Sequence, residues 1–378
     1  MKNKKRVLHV VGGMNIGGTE TMLVNLYRKV YKDIAFDFIS YYEEEGYYDK
    51  EIIELGGNII RLNSPKTIGL FKSIKELKNV IKGNYDIVHI HTLFNCGIGA
   101  LAAFLGGAKI RISHAHTTLD TDNSFIKRIY IGIMRILIKF FSTNYLACSD
   151  SAGKYLFGEN IVKSNNYKVI PNYIAYEKFM NIKSDDGIRQ ELNIDKKDII
   201  VGHVGRLMDA KNHSFLLDIV SEMIIKNPNI KCILVGDCVL REQIEEKILK
   251  LNIQNNVYLL GIRDDVDKIM KEFDLFIMPS IYEGLGLVLL EAQASIVPCL
   301  VSEAIQPEAD LGVGLVKQLN LSDGILKWAE EAEKIISNKN KNNINIAKAI
   351  KDKHYDLNSI LDNLLSVYKL KLESVKLI

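Results

Sequence analysis

The chain has 378 residues, 47% of them hydrophobic and 25% charged, with a formal net charge of +3. That length exceeds one ordinary core and suits two α/β domains, while the composition excludes a disordered or fibrous chain. Five scattered cysteines (Cys96, Cys148, Cys232, Cys238 and Cys299) form no CxxC pair, which argues against a disulfide framework and for a reducing cytosol.

The opening run MKNKKRVLHVVGG is basic and then apolar. Its apolar part is too short for a signal peptide and leads into a glycine loop, so it reads as the first strand. Short Val- and Ile-rich runs follow at 35–40, 58–62, 87–91, 109–114, 144–147 and 168–170, after the first at 6–11. A second series lies at 199–204, 231–235, 257–259, 275–278 and 298–301, and helical patterns such as 20–30, 214–226 and 240–251 fall between the runs. Strands alternating with helices predict right-handed βαβ units and parallel sheets. Continuously apolar runs such as IIVGHV and LFIM predict sheets covered on both faces. The polar stretch at 176–198 marks a break between an amino-terminal domain over 1–175 and a carboxy-terminal domain over 186–356. Both halves open alike, with strand, glycine turn and helix. The final helix, about 357–372, has no strand after it, and 357–378 is expected to pack back on the first domain. The expected fold is α/β, with two Rossmann-like, doubly wound parallel-sheet domains facing across a cleft and ligands at the carboxyl ends of the strands.

Charge is divided unevenly: 23 Lys and Arg stand against 15 Asp and Glu up to Asn172, and 26 against 31 thereafter. A basic first half fits an anionic surface or simply solvated lysines. The segment 124–141 is very apolar but carries Lys127, Arg128, Arg135 and Lys139, so it does not cross a bilayer. It reads either as a packed helix with one solvated edge or as a basic helix lying on a membrane.

Chemistry concentrates after the run LFIMPS. Glu283 heads Glu283-Gly284-Leu285-Gly286-Leu287, and Glu291 follows eight residues on, about one turn into the next helix. A loop carboxylate there accepts hydroxyl hydrogen bonds, and glycines let backbone N–H groups approach a ligand. Gly205-Arg206 and Lys211 close the first strand of the second half, where a planar guanidinium and a point charge suit a phosphate. Gly17-Gly18-Thr19-Glu20 opens a helix whose first N–H groups face an oxyanion.

Taken in order, these pieces resemble the family 4 glycosyltransferases, retaining enzymes of the GT-B fold, and in particular their capsular and exopolysaccharide branch. The resemblance covers nearly the whole chain. It rests on the E-x7-E of Glu283 and Glu291, the glycine loop at Gly17 and Gly18, the Gly205-Arg206 and Lys211 clamp, Pro171-Asn172, Val235-Gly236-Asp237 and the loop Gly261 to Val266 with Arg263. HAHTT, SEAIQPEADLG and HYDL find counterparts as well. Tyr173 after Asn172 and Cys238 after Asp237 depart from the glycines common in the family.

The resemblance implies transfer of a hexose or N-acetylhexosamine from a nucleoside-diphosphate sugar, UDP by family habit. The acceptor is a glycan or lipid-linked saccharide in polysaccharide biosynthesis. It casts Glu283, His116, Arg206 and Lys211 as the catalytic set, and Gly17, Gly18, Gly205, Arg263, Gly284, Leu285, Gly286, Leu287 and Glu291 as substrate-binding. Glu283 would hold sugar hydroxyls, Glu291 the ribose, Arg206 and Lys211 the departing diphosphate, and His116 the sugar near its reacting centre. No metal or other cofactor is expected, and no nucleic-acid partner. The enzyme is expected in the cytoplasm, at the inner face of the membrane.

Other histidines receive no such role. His114 is expected to point away from His116 along an extended segment, and His89 and His91 read as structural. The H-x-H pair at 114 and 116 is a weak zinc signal without further ligands. Asp120-Thr121-Asp122 reads as a polar loop. A sugar-nucleotide epimerase of the same fold lacks a second carboxylate and histidine set here. A non-catalytic sugar-nucleotide or glycan-binding partner is disfavoured by the intact acids and cations. A dehydrogenase is disfavoured because GGMNIGG is not G-x-G-x-x-G and FDFIS ends without an acid.

Overall fold

A computed structural model describes residues 4–116, 124–171, 173–182, 186–338 and 345–372. Asp120-Thr121-Asp122, Asn172 and the tail beyond 372 lie outside the described residues. The chain divides into two compact units. The first holds the described residues up to Tyr173 and those from Leu357 onward; the second runs from Ile174 to Asp356.

Seven strands build the first unit: β1 (Lys5–Val10), β2 (Ile34–Ser40), β3 (Ile59–Arg61), β4 (Ile87–Ile90), β5 (Ile110–Ala115), β6 (Asn144–Ala147) and β7 (Tyr167–Val169). Their order is β3-β2-β1-β4-β5-β6-β7, and among the described residues every pairing of these strands is parallel. Alternation sends neighbouring residues to opposite faces. Leu8, Val10, Val88 and Ile90 enter one core with the helix Cys96–Leu105, while Val7, Phe36, Phe38, Ile87 and Ile112 enter the other. The helix Leu357–Tyr368 belongs to that second core, where Ile360, Leu364 and Tyr368 lie with Met22, Leu23 and Tyr27.

The second unit has β8 (Ile199–Val204), β9 (Ile230–Val235), β10 (Val257–Gly261), β11 (Leu275–Met278), β12 (Cys299–Ser302) and β13 (Val316–Leu319). Their order is β10-β9-β8-β11-β12-β13, again with parallel pairings. Ile200, Val235, Phe276, Met278 and Val301 supply one core; Val201, Leu234, Ile277 and Leu300 supply the other. β13 is an addition to the expected strands. Its sequence, VKQL, is short and half polar because it pairs only with β12 at the sheet edge. The polar stretch at 176–198 contains two short helices, Tyr176–Met180 and Gly187–Glu191, and four of its apolar residues, Tyr176, Phe179, Ile188 and Ile194, are buried in the second unit's core.

Candidate functional site

In the second unit the carboxyl ends of β8, β9 and β11 carry the expected acids and cations. β8 ends in Gly205, whose N–H bonds to the Val235 carbonyl at 2.9 Å. Glycine is required opposite it, because Gly236 sits at φ +129 and a Cβ there would strike the Gly205 carbonyl. A Cβ on Gly205 itself would lie 3.3 Å from Lys211 Cε and 3.2 Å from His203 Nε2. The lysine stem therefore passes over the bare backbone at position 205.

Lys211 ends the 3-10 turn Asp209–Lys211 and donates to Glu283 Oε1 at 2.5 Å. Ser280 Oγ donates to the same oxygen at 2.8 Å. The loop is fixed from both sides: Ile281 N–H reaches the Ala210 carbonyl at 2.8 Å, and Ser302 Oγ reaches the Ser280 carbonyl at 2.6 Å. The Lys211 and Glu283 side chains are only 16% and 11% exposed, so each charge depends on the other to offset desolvation. Arg206 differs: it is exposed and, among the described residues, has no ion pair or side-chain hydrogen bond.

After Glu283 the chain turns through Gly284 and buries Leu285 to 4% exposure. Gly286, at φ +79, caps the helix Leu287–Ala294. The Leu285 side chain belongs to the core and Leu287 packs against it, so these two residues offer a ligand their backbone only. The N–H groups of the first helical turn have no partner within the helix. Glu291 follows one turn on. Its carboxyl is pushed up to about 7, first by burial and then by Asp267, against a smaller opposing effect of Lys178. Lys178 is itself tied to Asp267 at 3.1 Å. Among the described residues no hydrogen bond reaches Glu291.

Arg263 is held elsewhere. It makes two bonds to Glu191, at 2.8 and 3.0 Å, and two to Asp265, both at 2.8 Å. These partners, Asp265 foremost, raise its already high pKa, and a ligand would have to displace one carboxylate to gain the guanidinium. Sequence reasoning missed Ser280, Lys178 and Asp267. Only Ser280, three residues before Glu283, had a local signal.

In the first unit Gly17 is the N-cap of the helix Gly18–Val30 and provides no side-chain cap. The Glu20 carboxylate folds back over it, and burial raises its pKa. An anion at this helix start would meet that acid first.

The histidines correct the expectation about His114. Residues two apart on an extended segment share a face, and the rings of His114 and His116 lie side by side, tilted by 36°, with centroids 4.0 Å apart. His89 and His91 join them, 4.1 Å apart. His91 Nδ1 lies 2.9 Å from His116 Nε2, and its Nε2 lies 3.2 Å from His9 Nδ1. His89 bridges the Tyr368 hydroxyl, 2.7 Å from its Nδ1, and His114 Nδ1, 3.1 Å from its Nε2. Burial lowers the pKa of His9 to about 3 and holds His89, His91 and His114 neutral.

Comparison with known proteins identifies the family. Residues 16–178 match the model of Glycosyltransferase Family 4, and residues 184–352 that of Glycosyl transferases group 1. The chain is 36% identical over 376 residues to the putative glycosyltransferase EpsF of Bacillus subtilis, covering 98% of each chain. It is 27% identical to the capsular polysaccharide biosynthesis glycosyltransferase CapH of Staphylococcus aureus, over 97% of this chain and 99% of CapH. The crystal structure of Anabaena Alr3699/HepE in complex with UDP superposes with a TM-score of 0.78 at 20% identity, over 97% of this chain and 100% of that one, a likeness of fold. With two parallel-sheet Rossmann-like units and a relative this similar along its full length, the chain belongs to glycosyltransferase family 4 and is a glycosyltransferase of the GT-B fold.

Proposed function

We propose that the second unit binds the UDP moiety of a sugar nucleotide, and that the enzyme transfers its hexose or N-acetylhexosamine with retention of anomeric configuration. The observation that carries this reading is the fixed Lys211–Glu283 pair, its lysine stem passing over Gly205, next in sequence to an exposed Arg206 that has no ion pair among the described residues. Arg206 and Lys211 take the diphosphate, whose charge grows as the C1–O bond breaks, so their interaction strengthens toward the transition state. Glu283, aligned by Ser280 and Lys211, accepts hydrogen bonds from sugar hydroxyls. Glu291 accepts them from the ribose, with backbone N–H groups of 284–287 beside it. Arg263 shapes the loop near the base through its pairs with Glu191 and Asp265. His116 and the Gly17–Gly18 turn are the first unit's proposed contributions. On the retaining route the acceptor oxygen bonds to C1 on the face the diphosphate leaves, and the acceptor's proton passes to the departing phosphate oxygen. With two cations on the diphosphate, the reaction is proposed to need no metal.

The relatives act in capsular polysaccharide biosynthesis, and a galactosyltransferase of Escherichia coli named for a diphosphoundecaprenol acceptor is 29% identical over 248 residues. We therefore propose a glycan or lipid-linked saccharide acceptor and a place at the cytoplasmic membrane face. No described helix is long and apolar enough to cross a membrane. The helix Phe125–Phe141 buries only Met134 and Ile138 and leaves Phe125, Ile129, Ile133, Ile136 and Phe140 49–75% exposed along one stripe. Arg128 and Lys139 are exposed on the same helix, the pattern of a helix lying in an anionic lipid surface.

The direct test is turnover of UDP-sugars by purified protein in excess EDTA. Transfer or slow hydrolysis of one donor is expected. Glu283→Gln should lower it by about 10²-fold or more while the protein stays folded. A fully active Glu283→Gln enzyme contradicts the site.

A further inference from the structure

Five of the eight histidines, His9, His89, His91, His114 and His116, collect at the carboxyl ends of β1, β4 and β5. We propose that His91, His114 and His116 form a binding site for a divalent transition-metal ion of the zinc class, with a coordination position left toward solvent. The three residues each offer a ring nitrogen, and these nitrogens lie within 4.8 Å of one another. Two imidazoles on one tetrahedral zinc, with bonds of about 2.0–2.1 Å, have nitrogens about 3.3 Å apart. His91 Nδ1 and His116 Nε2, at 2.9 Å, already have nearly that separation.

In two of the three residues, His114 and His91, the remote nitrogen is held as metal-binding histidines require. His114 Nδ1 is held by His89, which is held in turn by Tyr368, and His91 Nε2 is held by His9. His114 Nε2, by contrast, is buried and has no hydrogen-bond partner among the described residues. A ligand is the natural occupant for such an atom in a ring that burial keeps neutral, because neutral imidazole binds metal without releasing a proton. An all-imidazole donor set selects zinc, copper or nickel over magnesium, calcium or manganese. His9, His89 and His91 form a second group of three. It is the weaker site, because only His91 in it reaches the surface, whereas both His91 and His116 do so in the first.

An ion here takes up His116, so it also inhibits transfer. That consequence rests on the role proposed for His116, whereas binding does not. The test uses the full-length, tag-free protein, stripped by chelator and titrated with Co(II). Visible d–d bands of four-coordinate Co(II) should grow to one equivalent and be displaced by Zn(II). They should vanish in His114→Gln and His116→Asn and persist in His9→Asn. His116→Asn, at a partly exposed position after β5, carries the test where the buried His114→Gln does not fold. No bands in the wild type, or bands lost in His9→Asn but kept in His116→Asn, overturn the proposal. Bands without inhibition by Zn(II) support the site and contradict the role given to His116.

Discussion

Glu291 is a carboxyl whose surroundings oppose its charge. Burial and the neighbouring Asp267 lift its pKa from an ordinary 4.5 to about 7, and among the described residues no hydrogen bond rewards ionisation. Between those two values the folded state holds a proton that the unfolded chain has released. Stability therefore falls as pH rises through that window. Glu291→Gln removes this penalty: scanning calorimetry should find the variant about 2–4 °C more stable than wild type at pH 8, the shift that ~1 kcal/mol gives in a unit of this size. At pH 4.5 the two should coincide. Equal melting temperatures at pH 8 would mean the carboxylate has a partner. A residue that destabilises its own fold when charged, and stands near the start of a helix proposed to meet the nucleotide, fits a charge kept for a ligand.

The elements that hold these residues are built from local rules. β8 and β11 end in glycine or proline turns, and the helix Leu287–Ala294 starts from a left-handed Gly286, so its first N–H groups face outward. The helix Phe125–Phe141 is the exception: most of its apolar surface remains in water, and Ser124 caps it by accepting from Lys127 N–H. Its opposite face, with Met134 and Ile138, packs into the first unit's core. Co-sedimentation with vesicles containing anionic lipid should recover the wild type. A double variant, Ile133→Asp with Phe140→Asp, should stay in the supernatant while keeping its melting temperature, since neither residue is buried. Binding that survives the double variant would place the membrane surface elsewhere.

At the scale of the molecule, sheet layers were legible because buried parallel strands are continuous apolar runs, and IIVGHV or LFIM admit few other readings. The same logic misses VKQL at an edge and gives no sign, in the polar stretch 176–198, of Tyr176, Phe179, Ile188 and Ile194, which join the second unit's core. The Lys211–Glu283 contact joins positions 72 apart, and only the resemblance brought them together beforehand. The histidine ladder needed strand register, with His9 opposite His89, which no local pattern carries. Arg263, expected to bind substrate, is neutralised in part by Glu191, 72 positions away, a pairing that no local pattern carries. The central claim is that the second unit grips a uridine diphosphate through Arg206 and Lys211. Isothermal titration of UDP tests it most directly. Arg206→Ala should bind about 10–100-fold more weakly, the loss of a charge-assisted contact worth roughly 1.5–3 kcal/mol, while Glu283→Gln should keep UDP affinity and lose turnover. Unchanged UDP affinity in Arg206→Ala would contradict it.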